Sequence, residues 1–478
     1  MSRIVSTVLY LLFAISVFAQ TKEELINRAI FNRIEFFINT QMTDSIYSLA
    51  SEKFKDAVTK PQFELALHNL YQLGKIKNVE TLDFRGKTGI YLLEFPSNFI
   101  EAHLMLDSTY HFDALLFKPS EKSTQKIADK EEVISQAEKT SPVDFFIDSV
   151  ANTYVKKGNA QSLAIGIFHN NAYKTYFYGE TEKGNGILPT EDTLYEIGSI
   201  TKVLTATLLA DLVTKNIIQL DDSISKFLPD SVASNPDIQK ITFKSLANHT
   251  SGLPRLPDNI ETTPGFNPND PYADYDIAAL YTYLKAYKAT KEVGESYAYS
   301  NLGYGLLGQI IANITKKPFM QSLQETVLSP LQMINTTDKP DPKKHHMVKV
   351  YNDKGEETIA WNFQSLLAAG GIKSTVKDLM LFAVEQFKMP LNDLQNAMGL
   401  TRQFTFFTPD NTDIGLAWHM NLVDEGIYFW HNGGTGGSRS FIGISPDTKT
   451  AIVVLSNSAI SVDQISVTML EKLLSTAQ

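Results

Sequence analysis

"EIGSITKVLTATLLADLV", residues 196–213, sets a serine and a lysine three positions apart at the start of a segment that is apolar or small on nearly every side. A helix of that composition has no polar face to turn to water, so it runs through the interior of a large core. Ser199 then opens a buried helix, where unpaired N–H groups and the positive end of the helix dipole are at hand. An oxyanion formed at that serine can be stabilised by its own backbone N–H. Lys202 lies one turn further along the same face. Burial disfavours its ammonium form, which leaves an amine able to accept or relay the serine proton. The spacing by itself is unspecific, since Ser123–Lys126, Ser223–Lys226 and Ser374–Lys377 repeat it. The first falls in a charged linker and the second in the polar turn "LDDSISKFLPD". The third is accounted for without chemistry, because Thr375 with Asp378 reads as a capping box.

Around this helix the hydrophobic period changes from helical to two. "SLAIGIFHNNAYKTYFYGE" (162–180) reads as a hairpin turning at Asn170–Asn171, preceded by an amphipathic helix, "VDFFIDSVANTYVKKG". At the other end, "GIYFWHNGG" is a strand, "SRSFIGISPDTKTAIVVLSN" a hairpin, and "SVDQISVTMLEKLL" a closing helix. Strands from both ends with helices between them imply one antiparallel sheet sandwiched by helices. A largely helical insert fills about 190–420, so the fold class is α/β. Residues 143–478 make up this domain. Before it, 119–142 is polar and charged and reads as a linker. Residues 20–118 read as a small α+β domain of three helices and four consecutive antiparallel strands. It resembles the ketosteroid-isomerase-like cone, and a packing or partner-binding role is expected of it.

The 478-residue chain is 43% hydrophobic and 20% charged, with ample material for such cores. Its net charge of −10, with no basic stripe, argues against a nucleic-acid or anionic-membrane surface. "MSRIVSTVLYLLFAISVFAQ" has one early arginine, an apolar run and small residues before Gln20, which reads as a secretory signal over 1–19. With the signal removed no stretch is expected to span a bilayer, and the mature protein is expected to be exported, periplasmic or secreted. The absence of cysteine excludes disulfides, thiol catalysis and a lipid-modified N-terminal cysteine. "KKHHMVK" (343–349) holds two histidines, but no further ligand follows at a metal spacing, so neither metal nor cofactor is expected.

Two further motifs accompany the first. In "YAYSNLGYGLLGQIIANIT" (297–315), Tyr299 and Asn301 stand two apart before another apolar helix, so an extended tripeptide aims both the same way. A phenol near a lysine can have its pKa lowered and serve as general base, and an amide can hold a substrate carbonyl. The competing reading makes Tyr299 a half-buried aromatic and Asn301 an N-cap. In "WHNGGTGG" (430–437), His431 ends a strand, and Gly433 and Gly434 permit close backbone approach by a ligand. The N–H of Gly434 can then complete an oxyanion hole with that of Ser199. A plain glycine-rich turn is the competing reading.

Ser-x-x-Lys, then Tyr-Ser-Asn, then His-Asn-Gly on a late strand resembles the serine β-lactamase and penicillin-binding-protein family of the class C type. "NHTSGLP" (248–254) and "AAGGIKST" (368–375) also look like stretches of that family. The resemblance implies Ser199 as acyl acceptor, Lys202 as proton relay, Tyr299 as general base and Asn301 on the substrate amide. It also implies that His431 stands where β-lactamases have the lysine of Lys-Thr-Gly, and that Asn432 replaces the threonine that meets a substrate carboxylate. Histidine titrates near 6.5, whereas lysine is a fixed charge, so both changes weaken the case for penicillin hydrolysis. His249 is given a structural role. The expectation is an exported serine hydrolase of D-amino-acid peptides, amides or small esters. The alternatives are a β-lactamase and a non-catalytic sensor of cell-wall peptides. The loop 255–276, rich in proline and acid, is expected to form the pocket rim.

Overall fold

The computed structural model describes residues 22–85, 87–95, 99–120, 129–137, 139–408 and 412–477. The signal segment 1–19 and part of the linker lie outside them. The chain forms two compact units, Met1–Lys126 and Ile127–Gln478.

Among its described residues the first unit has four helices rather than three: α1 (Lys22–Asn39), α2 (Thr43–Ser48), α3 (Glu52–Ala57) and α4 (Lys60–Tyr71). Caps cut the helical stretch into short pieces. Ser51 accepts the Phe54 N–H to start α3, and Thr59 with Gln62 forms a capping box ahead of α4. Strands β1 (Asn78–Arg85), β2 (Thr88–Glu94), β3 (Phe99–Leu106) and β4 (Phe112–Pro119) follow as a sequential antiparallel sheet. Phe31, Ile34, Tyr91, Leu93, Leu104 and Phe112 fill the core between helices and sheet.

In the second unit, β5 (Ser135–Ala137) pairs with β7 (Ala172–Gly179), so part of the segment read as linker is an edge strand. Backbone pairing of three residues needs no apolar side chains, so composition could not reveal it. After α5 (Pro142–Val155) come β6 (Ser162–His169) and β7, whose turn places Asn170 and Asn171 at φ 49° and 60°. Asparagine tolerates that left-handed region, as a tight hairpin requires. β8 (Tyr195–Glu196) leads into a 3₁₀ turn (Gly198–Ile200) and α6 (Thr201–Thr214). The insert continues through α7 (Asp230–Ala233), α8 (Pro236–Gln239), α9 (Phe243–Ala247), α10 (Ile277–Ala286), α11 (Asn301–Thr315) and α12 (Phe319–Leu323). The short strands β9 (Val350–Tyr351) and β10 (Glu357–Thr358) pair with each other. Then come α13 (Leu367–Gly370), β11 (Lys373–Ser374, paired with β8), α14 (Val376–Glu385) and α15 (Asp393–Thr401).

The last five strands are β12 (Asp413–Ile414), β13 (His419–Val423), β14 (Gly426–Gly434), β15 (Arg439–Ser445) and β16 (Thr450–Ser456), followed by α16 (Asp463–Leu474). The eight-stranded sheet runs β12-β13-β14-β15-β16-β6-β7-β5, antiparallel throughout, so β16 from the C-terminal end seats against β6 from the start. Alternation along β16 sends Val453 and Leu455 to the core shared with α6, α11 and α14, and Ile452 and Val454 to the core under α5 and α16. This is the helix–sheet–helix sandwich. No helix among the described residues is long and apolar enough to cross a membrane.

Candidate active site

From Thr193 to Leu212 every residue is buried except Ser199. The cap position of α6 is Ile200 and carries no side-chain cap, so the Ser199 hydroxyl is not engaged in helix capping. It lies 3.1 Å from Lys202 Nζ. That nitrogen is fully buried and also contacts Asn301 Oδ1 at 2.8 Å and the Ala369 carbonyl at 2.7 Å. Two carbonyl acceptors use two N–H bonds, and the third direction faces Ser199 Oγ. Burial, helped by the charge of Arg255, drives the Lys202 pKa well below its ordinary value. Lys202 Nζ thus faces three oxygens at once, and a lysine pushed by burial toward its neutral form can turn its lone pair to the serine hydroxyl and take its proton.

The helix α11 brings its share through its cap. Ser300, not Asn301, is the N-cap and accepts the Gly303 N–H at 2.8 Å. The Asn301 amide is thereby free to take Lys202 and to donate to the Tyr272 hydroxyl at 3.1 Å. Any side chain at Gly305 or Gly308 would collide with Leu366 or Ala368. Their bareness lets α13 lie against α11 and puts the Ala369 carbonyl on Lys202.

Tyr299 stands beside Ser199, its ring centroid 4.7 Å from Lys202 Nζ. Its phenol does not behave as the sequence suggested. Burial pushes it up, and the Ser199 hydroxyl offsets this only in part. The physical reason is its own burial, which disfavours a phenolate more than the nearby Arg255 charge favours one. His249 fixes this tyrosine from both sides. Its carbonyl accepts the Ala298 N–H at 2.8 Å, its Nδ1 accepts the Ser300 N–H at 3.0 Å, and its ring lies 4.3 Å from that of Tyr299. It adopts φ 61° to do so. His249→Ala is expected to lower kcat by about 10²-fold with KM little changed, because misplacing a reacting group by about 1 Å costs that much. His249→Asn should recover part of it, since asparagine tolerates φ > 0 and its amide oxygen can take the Ser300 N–H. Steady-state kinetics on the pair checks this.

On the sheet side, Gly198 (φ 48°) leaves no room for a Cβ, which would meet the Gly434 nitrogen at 2.6 Å. A Cβ on Gly433 would run into the Ile197 carbonyl. The nucleophile turn and the end of β14 are therefore backbone against backbone. Glu196 holds them there. Its buried carboxyl group accepts from the Trp361 N–H (2.6 Å), Thr435 Oγ1 (2.8 Å) and Ser438 Oγ (3.3 Å). Burial pushes that group up, against the opposing charge of Lys373. His431 faces the site from β14, fully buried, with Nδ1 2.6 Å from the Asn432 carbonyl oxygen. Burial and the neighbouring basic groups, His419 first, keep it neutral. Asn432 points the other way and donates to Asp463 at the start of α16, 2.9 Å away.

The structure thus brings Ser199, Lys202, Tyr299, Asn301, His431, Gly433 and Gly434 to one place, and turns Asn432 away from it. At the rival motif, Thr375 caps α14, but Asp378 bonds to the Asn335 N–H and Thr336 rather than back to the cap, and Lys377 pairs with Glu191. Sequence reasoning missed the Ala369 carbonyl, Glu196, Tyr272, Arg255 and His419. Glu196 and Ala369 lay within stretches already singled out, but a carbonyl and a carboxylate that act through folding partners leave no pattern of their own.

Residues 147–474 match the family model described as Beta-lactamase. The chain is 28% identical over 333 residues to the D-alanyl-D-alanine-carboxypeptidase/endopeptidase AmpH of Escherichia coli K12, covering 66% of this chain and 84% of that protein. It is 27% identical over 353 residues to a β-lactamase of Providencia stuartii, covering 66% and 88%. Among solved structures, a class C β-lactamase superposes with TM-score 0.62 at 25% identity, over 70% of this chain and 96% of that one. A β-lactamase/D-alanine carboxypeptidase from Pseudomonas syringae shares the fold with TM-score 0.63 at 23% identity, over 71% and 100%. With the serine, the buried lysine and the glycine-lined backbone in place, the chain belongs to the Beta-lactamase family and is a serine hydrolase of the β-lactamase and D-Ala-D-Ala carboxypeptidase kind.

Proposed function

We propose that this protein hydrolyses D-alanyl peptides, related amides or small esters through an acyl-enzyme on Ser199, and that it does so after export. The observation that carries the reading is the buried Lys202, its pKa driven well below the ordinary value, held between Asn301 and Ala369 and 3.1 Å from Ser199 Oγ. Ser199 Oγ attacks the carbonyl as its proton passes to Lys202 Nζ. The N–H groups of Ser199 and Gly434 receive the oxyanion. The protonated Tyr299 phenol gives its proton to the leaving nitrogen or oxygen and regains one from the Lys202 ammonium. Water then attacks the ester along the same path in reverse. The raised phenol suits a donor, so the acid and base roles divide between Tyr299 and Lys202 rather than resting on a phenolate. A neutral His431 where β-lactamases have a lysine, and an Asn432 turned away, favour peptides and esters over penicillins.

The test is intact-protein mass after incubation with a penicillin, followed by mapping of any adduct, alongside turnover of D-alanyl-D-alanine peptides and p-nitrophenyl esters. Peptide or ester turnover, with any penicilloyl adduct on the peptide bearing Ser199, is the expected result. Rapid consumption of the drug without a lasting adduct would identify a β-lactamase instead. A permanent adduct with no turnover of any substrate would identify a sensor. An adduct on another residue would sink the assignment of Ser199.

A further inference from the structure

Four basic side chains surround Tyr299. Lys202 Nζ lies 4.7 Å and Arg255 Cζ 5.2 Å from its ring centroid, while the rings of His249 and His431 lie at 4.3 and 6.4 Å. Three of them are fully buried; burial drives Lys202 well below its ordinary value and both imidazoles well below 6.5, so the two histidines are neutral at pH 7. His419, 5.4 Å behind His431, is pulled down to about 4 by burial. A guanidinium keeps its proton at any working pH. Arg255 is thus the one exposed cation of the group, since the Lys202 nitrogen is buried and engaged on Ser199, Asn301 and Ala369.

It is also the one with an unoccupied head. Arg255 is exposed, and its guanidinium makes no ion pair or hydrogen bond among the described residues. Its backbone, by contrast, is fixed. The Arg255 carbonyl accepts the N–H groups of both Asn301 (3.0 Å) and Leu302 (3.2 Å), and the Pro254 carbonyl accepts Ser300 Oγ (2.7 Å). The residue is anchored to the same turn that carries Tyr299 and Asn301. Nearby cations are engaged elsewhere. Arg439 lies on the opposite face of the sheet from His431, with Nη1 on the Thr435 and Ser438 carbonyls. Lys373 Nζ donates to the Trp361 and Gly371 carbonyls.

We propose that Arg255 is the specificity-determining residue of this site: its guanidinium takes a free carboxylate on the leaving group, supplying from the loop after α9 the charge that His431 and Asn432 do not. The proposal rests on the Ser199 reading above. The guanidinium stacks over Tyr299, the donor to the leaving group, so a carboxylate a few bonds beyond the scissile one lies within its reach. Its planar fork matches a carboxylate with two parallel N–H···O bonds. An uncharged leaving group gains nothing from it, and the pocket discriminates on charge.

The experiment compares a D-alanyl-D-alanine peptide with its C-terminal amide, the acyl side being identical, in wild type, Arg255→Ala and Arg255→Lys. Wild type is expected to favour the free acid by about 10- to 10²-fold in kcat/KM, a contrast that shrinks as salt is raised. Arg255→Ala is expected to lose about that factor on the acid, mainly through KM, and several-fold less on the amide. Arg255→Lys, a point charge without the fork, should fall between. Equal treatment of acid and amide by wild type would overturn the proposal, as would equal loss on both in Arg255→Ala. A failure of the underlying reading looks different: Ser199 would then not be acylated by any substrate or penicillin.

Discussion

Lys202→Met is expected to remove acylation as thoroughly as Ser199→Ala, by about 10⁴-fold or more in kcat/KM, because residues that act as one unit are lost together. The protein should nevertheless remain folded, and at pH 7 it should be more stable than wild type. The side chain is fully buried with its pKa driven well below 10.5. Between the folded and unfolded pKa values the unfolded chain binds a proton that the native state lacks. Wild-type stability therefore rises with pH through that window and is complete only above the unfolded value. Methionine, similar in volume and uncharged, removes the deficit. The stability advantage of Lys202→Met over wild type should shrink as pH rises toward 10.5, which thermal unfolding at pH 7 and pH 9.5 measures. Orphaning the Asn301 and Ala369 oxygens works against that advantage at every pH, so the pH dependence is decisive: a stability difference that does not change between pH 7 and pH 9.5 would mean that the Lys202 pKa is not depressed. The acid limb of kcat/KM in wild type reports the same group, with activity appearing as pH rises and Lys202 loses its proton.

Gly198→Ala is expected to cost about 10²- to 10³-fold in acylation, the loss associated with one oxyanion donor, together with about 1–3 kcal/mol of stability. Two effects combine at this position. The φ of 48° disfavours any side chain, and a Cβ would press on the Gly434 nitrogen at 2.6 Å and its carbonyl oxygen at 3.0 Å. Pushing Gly434 away separates the two N–H groups that are to meet the oxyanion. Gly184 provides the control, because it has φ 82° but nothing within 4 Å of a built Cβ. Gly184→Ala should show the conformational cost alone, about 1 kcal/mol, with unchanged turnover. Single-turnover acylation and denaturant unfolding on both variants separate the terms. Full activity in Gly198→Ala would show that the close approach of the two segments does not set the oxyanion site.

The sequence by itself determined the elements whose signal is local. A segment with no polar face, Ile200 to Val213, had to be a buried helix, with the serine at its mouth beside the unpaired N–H groups of its first turn. Asn170–Asn171 between two alternating runs had to be a tight hairpin turn, and strands at both ends of the domain had to share a sheet. Tertiary structure alone decided the chemistry of the side chains. Burial in a core closed by distant segments, helped by the Arg255 charge, drives the Lys202 pKa well below its ordinary value, while the Asn301 and Ala369 oxygens, 99 and 167 residues away, hold its nitrogen in place. For the same reason Tyr299 keeps its proton, where adjacency to a lysine had suggested the opposite. Asn432 follows the alternation of β14 to the far face and pairs with Asp463, which no spacing in "WHNGGTGG" could indicate. Arg255 is in sequence any arginine of a proline-rich loop; only the fold stacks it over Tyr299 among buried basic groups and leaves its head exposed. Periodicity and turn chemistry belong to residues adjacent in the chain, whereas desolvation and charge belong to whatever distant segments the fold packs around a group.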